Sequence, residues 1–272
     1  MKDGSLPRPA VPATIYDEGY YLHKCAGSED WVASGGRQLD PLYRGSLERA
    51  AMAPGDVVVD LGTGRGELLA AAVELGASVA VGIEYSHDAV SLARRTLAAN
   101  GVGDRATVLA ADARRLPLPT GFADLVTMLD IVEHLTSDEL HATLVEAGRV
   151  LRPGGRVFVH TLPNRLVYSV TYRCQRLARP GRWHTWPADP RVELERAMHV
   201  NEQTQSSLRR SLRRAGLGNV SVQLGAIVYD GFVPDERARR TYHRLARRPL
   251  TARFGVADLW GQGVAPARPA PR

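Results

Sequence analysis

Three glycines at alternate positions follow the first apolar run of the chain, in a pattern suited to binding a cofactor. The stretch VVVDLGTGRGELL covers residues 57–69 and contains Gly62, Gly64 and Gly66. Glycine permits a backbone with positive φ and lets a ligand lie against the main chain. Glu84 follows Gly62 by 22 positions, where a carboxylate can accept hydrogen bonds from both hydroxyls of a ribose. The spacing therefore predicts a nucleotide-like cofactor, although G-x-G-x-G differs from the G-x-G-x-x-G of dinucleotide sites.

The elements that must hold these residues alternate between strand and helix. Short β-branched runs predict strands and longer periodic runs predict helices. We expect strands at 57–60, 79–84, 106–111, 124–130 and 156–161, and an antiparallel pair at 220–224 and 226–233. We expect helices at 39–52, 67–74, 87–99, 137–150, 204–215 and 235–248. This alternation predicts an α/β fold, with a Rossmann-like seven-stranded, mostly parallel sheet covered by helices on both faces.

Four sequence blocks in this order resemble the class I S-adenosylmethionine-dependent methyltransferases. They are VVVDLGTGRGELL, VGIEYS, the Asp112–Asp124 stretch DARRLPLPTGFAD, and LRPGGRVFV. The resemblance covers residues 50–165 and extends to 200–233 as the closing part of the fold. It implies that the protein is an enzyme that uses S-adenosyl-L-methionine.

The resemblance also implies roles for individual residues. The glycine loop would lie against the methionine part of the cofactor, Glu84 would hold the ribose, and Asp112 with Ala113 would border the adenine. The expected cofactor contacts are Asp60, Gly62, Thr63, Gly64, Gly66, Glu84, Tyr85, Asp112, Ala113 and Asp130. The alternative role for Asp112 is a strand-end cap, and the alternative for Glu84 is a solvated surface charge.

Methyl transfer from a sulfonium mainly requires alignment of the acceptor and exclusion of water, and a hydroxyl acceptor also needs a general base. Acidic and histidine side chains that could act as the base stand at the ends of the fourth and fifth strands and after the cap: Asp130, Glu133, His134, His160 and His199. We expect His134 and His199 to be catalytic. We expect the substrate to contact Tyr21, His160, Trp183 and Trp186.

A metal site is an alternative role for part of this set. The segment Asp130–His134 is similar to acid-x-x-Glu-His segments that bind a divalent cation in small-RNA 2′-O-methyltransferases and some ubiquinone-pathway O-methyltransferases. Here the ligands would be Asp130, Glu133, His134 and His199. Aspartate at the first position shortens the reach, and Glu-His-Leu is also common in metal-free relatives. A divalent cation is therefore possible but not favoured.

The chain divides into a central domain with attachments. Residues 1–13 are rich in proline and predict a disordered N-terminus, and residues 14–38 predict a lid whose Tyr16, Tyr20 and Tyr21 form part of the active-site wall. The methyltransferase domain is expected at 39–260, with a substrate cap at 164–200 and a flexible tail at 261–272. Packing on the sheet edge is the alternative for the lid tyrosines, and a satellite core is the alternative for the cap aromatics.

Composition is that of an ordinary globular protein, with 44% hydrophobic and 24% charged residues. No apolar run reaches the roughly 20 residues that cross a membrane, and no signal peptide is recognised, so we expect a cytoplasmic protein. Two cysteines give no disulfide framework. The net charge of +6 comes mostly from arginines spread over several helices, which is typical of solvated helix faces.

We therefore expect a methyltransferase of a small molecule, acting on oxygen of a specialised metabolite or sugar-containing acceptor in secondary metabolism. The protein is expected to be a monomer or homodimer, without a membrane partner and with nucleic acid an unlikely one. The alternatives are a methyltransferase of RNA or other nucleic acid, and a non-catalytic cofactor-binding regulatory protein. A nicotinamide-dependent oxidoreductase is disfavoured by the glycine spacing.

Overall fold

A seven-stranded sheet forms the centre of the fold in the computed structural model, which describes residues 6–179, 181 and 184–267. The strands are β1 Val57–Leu61, β2 Val79–Glu84, β3 Ala106–Ala110, β4 Ala123–Leu129, β5 Leu151–Thr161, β6 Gly218–Leu224 and β7 Leu259–Val264. Their order is β3-β2-β1-β4-β5-β7-β6. The first five are parallel, whereas β7 is antiparallel to both of its neighbours. The predicted α/β fold is confirmed.

Helices cover both faces of the sheet. They are α1 Glu18–His23, α2 Ser28–Ser34, α3 Pro41–Arg49, α4 Glu67–Glu74, α5 His87–Ala99, α6 Ser137–Val150, α7 Arg173–Leu177, α8 Glu193–Met198, α9 Gln205–Arg214 and α10 Glu236–Ala246. Each helix predicted from the sequence is present within a few residues of its expected bounds. One apolar cluster packs β1 and β4 against α6 and α9, and a second packs β1 against α4, so both sheet faces are buried as the near-continuous apolar strands require.

The prediction of the antiparallel pair was half wrong. β6 matches the expected 220–224, but its partner is β7 and not residues 226–233. The same finding corrects the flexible tail, since residues 261–264 form ladder pairs with β5. Gly261 and Gly263 made this stretch read as low-complexity. Their physical role is close packing, because a Cβ at Gly261 would lie 3.1 Å from the side chain of Leu208, and one at Gly263 would lie 3.0 Å from that of Leu217.

Residues 6–13 are docked against the domain, which corrects the prediction of a disordered start for this part; residues 1–5 lie outside the described range. Val11 is buried. The amide of Ala10 donates to Glu139 over 2.9 Å, and the carbonyl of Pro7 accepts from Arg114 over 2.8 Å. Buried backbone groups need such partners, so these bonds hold the segment in place.

The predicted cap consists of short helical pieces. A π-helical turn at Val167–Tyr172 runs directly into α7, and α8 is the next α-helix among the described residues. Tyr172 and Trp186 stack with ring centroids 5.3 Å apart and pack with Val233 and Tyr242 in a satellite core. Among the described helices, none is long and apolar enough to cross a bilayer.

Candidate functional site

Two adjoining cavities lie at the carboxyl ends of β1, β2 and β4, where open α/β sheets bind ligands. The smaller has a volume of about 90 Å³ and the larger about 330 Å³. Tyr16, Tyr21, Gly62, Asp130 and His134 contribute to the walls of both. The cavities are therefore two parts of one cleft.

Glu84 is fixed by the backbone of the glycine loop and of its own strand end. Gly64 N–H donates to one of its carboxylate oxygens over 3.1 Å, and the amides of Tyr85 and Ser86 donate to the other over 2.8 and 2.9 Å. Burial raises the pKa of Glu84, and these three amides partly offset the effect. Since Glu84 is 3% exposed, the alternative of a solvated surface charge is wrong.

The expected cofactor contacts converge on this cleft, with one exception. Glu84, Tyr85, Asp112 and Ala113 line the smaller cavity, Asp60, Thr63 and Gly64 line the larger, and Gly62 and Asp130 line both. Gly66 lines neither. It occupies the N-cap of α4 with φ +77°, and a Cβ there would lie 2.9 Å from Ala93. Gly66 therefore allows α4 to pack on α5, and its contact with the cofactor stays a prediction.

No sequence pattern indicated the role of Arg114. Its guanidinium forms a bidentate pair with Asp112, lies 3.1 Å from a carboxylate oxygen of Glu139, and donates to Pro7. Glu139 in turn caps α6 by accepting from Thr136 N–H. Arg114 therefore connects the wall of the smaller cavity, the start of α6 and the N-terminal segment.

Arg65 connects the glycine loop to the lid. It is 3% exposed, and its Nε donates to Glu67 over 2.8 Å. Its terminal nitrogens donate to the carbonyls of Tyr21 and Ala26 over 2.9 and 2.7 Å. The glycine loop and the predicted lid are thereby joined, and Tyr21 lies where the lid was expected to form a wall.

Asp130 ends β4 in a left-handed backbone conformation, with φ +54°. Its carboxylate lies 2.7 Å from Nδ1 of His160, whose Nε2 lies 3.6 Å from Asp258. Burial alone would lower the pKa of His160, but the two carboxylates outweigh it and raise the pKa to about 10. His160 is 1% exposed and lines neither cavity, so its predicted substrate contact is wrong. It contacts the side chain of Asp130 from the buried side.

Glu133, His134 and His199 come together as expected. One ligand atom of each lies within 4.8 Å of the others. The hydroxyl of Thr161 donates to Glu133 over 2.6 Å, and burial followed by the charge of Asp130 raises the pKa of this carboxyl. Asp130 is not in the group, because its carboxylate faces His160. The four-residue metal set from the sequence is thus reduced to three.

Burial favours the neutral form of both histidines of this group. Burial, followed by the proximity of His199, lowers the pKa of His134 to about 4, and burial also lowers that of His199. Their rings lie 5.0 Å apart. His134 Nδ1 is 3.3 Å from the Met198 carbonyl, whereas His199 Nδ1 is buried and has no hydrogen-bond partner in the described part of the chain.

Unlike Tyr21, the two tryptophans that were predicted to contact the substrate from the cap are not among the described residues of the cleft wall. Trp186 is fully buried in the satellite core, so it cannot touch a ligand in the cleft and that prediction is wrong. Trp183 lies outside the described residues. Instead, Glu195 and Tyr229 line the larger cavity, with the Tyr229 hydroxyl donating to Glu195 over 2.8 Å. Tyr229 was not identified from the sequence, because residues 226–233 were predicted to form a strand.

Comparisons with known proteins agree with this fold. The family model described as "Methyltransferase domain" matches residues 58–155. A ubiquinone biosynthesis O-methyltransferase of Cupriavidus pinatubonensis is 36% identical over 129 residues, which cover 47% of this chain and 50% of that protein. The chain thus spans about half the length of this curated relative.

Two solved structures share the architecture over most of the chain. The cyclase SpnF superposes with a TM-score of 0.65 at 19% identity, covering 96% of this chain and 97% of that one. The complex of the Haloferax volcanii Trm112 methyltransferase activator with a methyltransferase gives a TM-score of 0.59 at 22% identity, covering 90% and 94%. At these identities the similarity is one of fold. The domain match over residues 58–155 and the strand order both support the resemblance to the class I S-adenosylmethionine-dependent methyltransferases.

Proposed function

We propose that the protein is a methyltransferase that uses S-adenosyl-L-methionine to methylate an oxygen atom of a small molecule. The observation that carries this proposal is the continuous cleft, in which the expected cofactor residues line both cavities and His134 and His199 line the larger one. The match to a ubiquinone biosynthesis O-methyltransferase supports oxygen as the acceptor atom.

The residues of the smaller cavity fit the adenosine part of the cofactor. Glu84 is held by three backbone amides, which leave about one acceptor site, on the oxygen bonded to Gly64, for a ribose hydroxyl. The buried hydroxyl of Tyr16, which lines both cavities, and that of Thr63, in the wall of the larger one, have no hydrogen-bond partner in the described residues, so they are available to a polar ligand. Asp60, whose pKa burial raises to about 6, lies with the glycine loop toward the methionine end.

S-Adenosyl-L-methionine supplies an activated methyl group, so the chain itself has to align the acceptor, exclude water and remove a proton. We assign alignment and exclusion of water to the tyrosines of the lid, Tyr16, Tyr20 and Tyr21, which cover the cleft. We assign proton removal to His199, because burial lowers its pKa, its Nδ1 has no hydrogen-bond partner in the described residues, and the residue lines the cleft. His134 lies beside it and positions the acceptor hydroxyl.

A specialised metabolite or a sugar-containing molecule remains our preferred acceptor within secondary metabolism. The larger cavity, at about 330 Å³, has the size of a small-molecule site. It is walled by polar groups that suit a hydroxylated ring, among them Glu195 and Tyr229.

Two alternatives are tested with the same protein. A nucleic-acid methyltransferase is motivated by the net charge of +6 and predicts RNA binding that weakens steeply with salt, because phosphate contacts release counterions. A non-catalytic cofactor-binding regulator predicts cofactor binding without turnover.

Isothermal titration calorimetry with S-adenosyl-L-methionine and with NAD tests the cofactor. We expect saturable binding of the sulfonium only, and NAD binding in its place would contradict the proposal. Release of S-adenosylhomocysteine with a panel of phenols, catechols and sugars tests the chemistry. Turnover with any of these acceptors excludes the regulator, and turnover with RNA alone would replace the small-molecule acceptor.

A further inference from the structure

A third cleft opens beside the larger cavity, and His199 lines both. This arginine cleft has a volume of about 410 Å³ and lies between residues 165–173 on one side and residues 188–202 on the other. Because it begins where the acceptor is placed, it can receive a part of the acceptor that projects past His199.

The first wall presents three polar side chains in a row. Arg165, Ser169 and Arg173 are spaced four residues apart on a continuous helical segment, and all three line the cleft. A spacing of four keeps side chains on one face of a helix, in the α as in the π form. The two guanidinium groups therefore point into the same space.

The charges of this cleft are unevenly compensated. On the second wall, Arg191 pairs with both Asp189 and Glu202, each over 2.8 Å. The guanidinium groups of Arg165 and Arg173 are exposed and have no hydrogen bond or ion pair within the described residues. Three arginines face two carboxylates, and the surplus positive charge lies on the wall formed by residues 165–173.

Unpartnered polar atoms in the same walls also indicate a ligand. Tyr168 is 7% exposed, and its hydroxyl has no partner in the described residues. Asn201 Nδ2 and His199 Nδ1 are also buried and have no hydrogen-bond partner in the described residues. Buried polar groups in native proteins are nearly always hydrogen-bonded. Three unpartnered atoms beside two free guanidinium groups therefore suit a polar, anionic group.

We propose that the arginine cleft binds an anionic group of the methyl acceptor, a phosphate monoester or a carboxylate, through Arg165 and Arg173. Guanidinium groups bind both anions in bidentate fashion. The anion would hold the acceptor with its hydroxyl at His199. This inference rests on the proposed function, since it assigns the substrate class of the same site.

Calorimetric titration with phenyl phosphate and with benzoate tests this assignment, and phenol serves as the uncharged match. We expect the wild-type protein to bind at least one of the two anions more tightly than phenol. The double variant Arg165→Gln/Arg173→Gln should weaken this binding by about 10-fold or more, since two charge-assisted contacts are lost. Arg210→Gln, on the exposed face of α9 outside the cleft, should bind like wild type.

Preference for phenyl phosphate would assign the phosphate, and preference for benzoate the carboxylate. Equal anion affinity in the wild type and the double variant would overturn the inference, as would no binding of either anion. Arg173→Gln alone provides the same comparison if the double variant does not fold. A separate titration with S-adenosyl-L-methionine distinguishes the two proposals. Cofactor binding without anion binding refutes only the cleft, and the reverse refutes only the proposed function.

Discussion

The carboxylate of Asp130 lies 2.7 Å from Nδ1 of His160, so a residue of the cleft wall is paired with a histidine buried behind it. Asp130 directly follows β4, and His160 lies next to the end of β5, where it is in register with Leu129 of β4. Asp258 approaches the other ring nitrogen. Asp130 thus combines a left-handed backbone conformation with a side chain that is paired to this histidine.

This pairing predicts a pH-dependent contribution of His160 to stability. Its pKa is raised from 6.5 to about 10 in the folded protein, so its contribution is fully present below pH 6.5 and is lost as the pH rises through 10. His160→Gln should therefore reduce the free energy of unfolding by about 2–5 kcal/mol at pH 6, and by less at pH 10.5. Urea unfolding at the two pH values measures this. A difference that does not fall with pH, or that also arises in the exposed control His87→Gln, would refute it.

Glu84→Gln should weaken binding of S-adenosyl-L-methionine by about 10- to 100-fold, since a charge-assisted acceptor of hydroxyl hydrogen bonds is replaced by an amide. The Gly64 amide would also face an altered partner. Calorimetry of the cofactor gives the dissociation constant. Glu74→Gln, an exposed carboxylate on α4, is the matched control, and equal affinities for the two variants would remove Glu84 from the cofactor site.

Loss of Arg65 should release the lid. Arg65→Met leaves Glu67 buried without its cation, which costs about 3–5 kcal/mol of stability, and removes the donors to Tyr21 and Ala26. We expect faster tryptic cleavage after Lys24, measured by mass spectrometry under native conditions. Arg44→Met breaks an exposed pair and should leave the cleavage rate unchanged. Equal rates in both variants would show that the lid is held by other contacts.

His199→Ala should lower kcat by about 100-fold or more with a hydroxyl acceptor found by screening, as expected for removal of a general base. The dissociation constant of S-adenosyl-L-methionine should change little. The rate of S-adenosylhomocysteine release measures kcat, with His87→Ala as the control. If kcat is retained, His134 becomes the stronger candidate for the base.

Glu133, His134 and His199 can be tested as a cation site. The pKa of Glu133 is raised by burial, which favours a protonated carboxyl over an anionic ligand at neutral pH. We therefore expect calorimetric titration with Mg²⁺ or Mn²⁺ to give no saturable binding near micromolar concentration. Saturable binding that His199→Ala abolishes would instead assign a metal site to these residues.

Much of the fold could be predicted from sequence because local pattern and tertiary role coincide in the first five strands. Val58 and Val59 are fully buried, and the carboxylates that end β1 and β2 point to the cleft as their position after an apolar run suggested. β7 could not be predicted, because Gly261 and Gly263 lower its apparent strand character while enabling its packing.

In the candidate site, too, residues set by local sequence patterns could be predicted, whereas residues with partners distant in sequence could not. Glu84 and Gly62 follow from spacing within one βαβ unit. The roles of Arg65 and Arg114 do not, since their partners include backbone carbonyls 44 and 107 positions away, and any residue can supply a carbonyl. Trp186 shows the converse, because its aromatic character was visible in the sequence but its burial depends on α10.

The position of β7 also has a consequence for synthesis of the chain. Within the described residues, β6 reaches the sheet through β7, and Asp258 directly precedes that strand. Asp258 and β7 are synthesised after the other helices and strands of the described residues, and domains fold as their residues emerge. A nascent chain ending before Leu259 would therefore carry the cofactor half of the cleft on a five-stranded sheet, with β6 unpaired. Pairing of β7 with β5 and β6 would be the final step in forming the sheet.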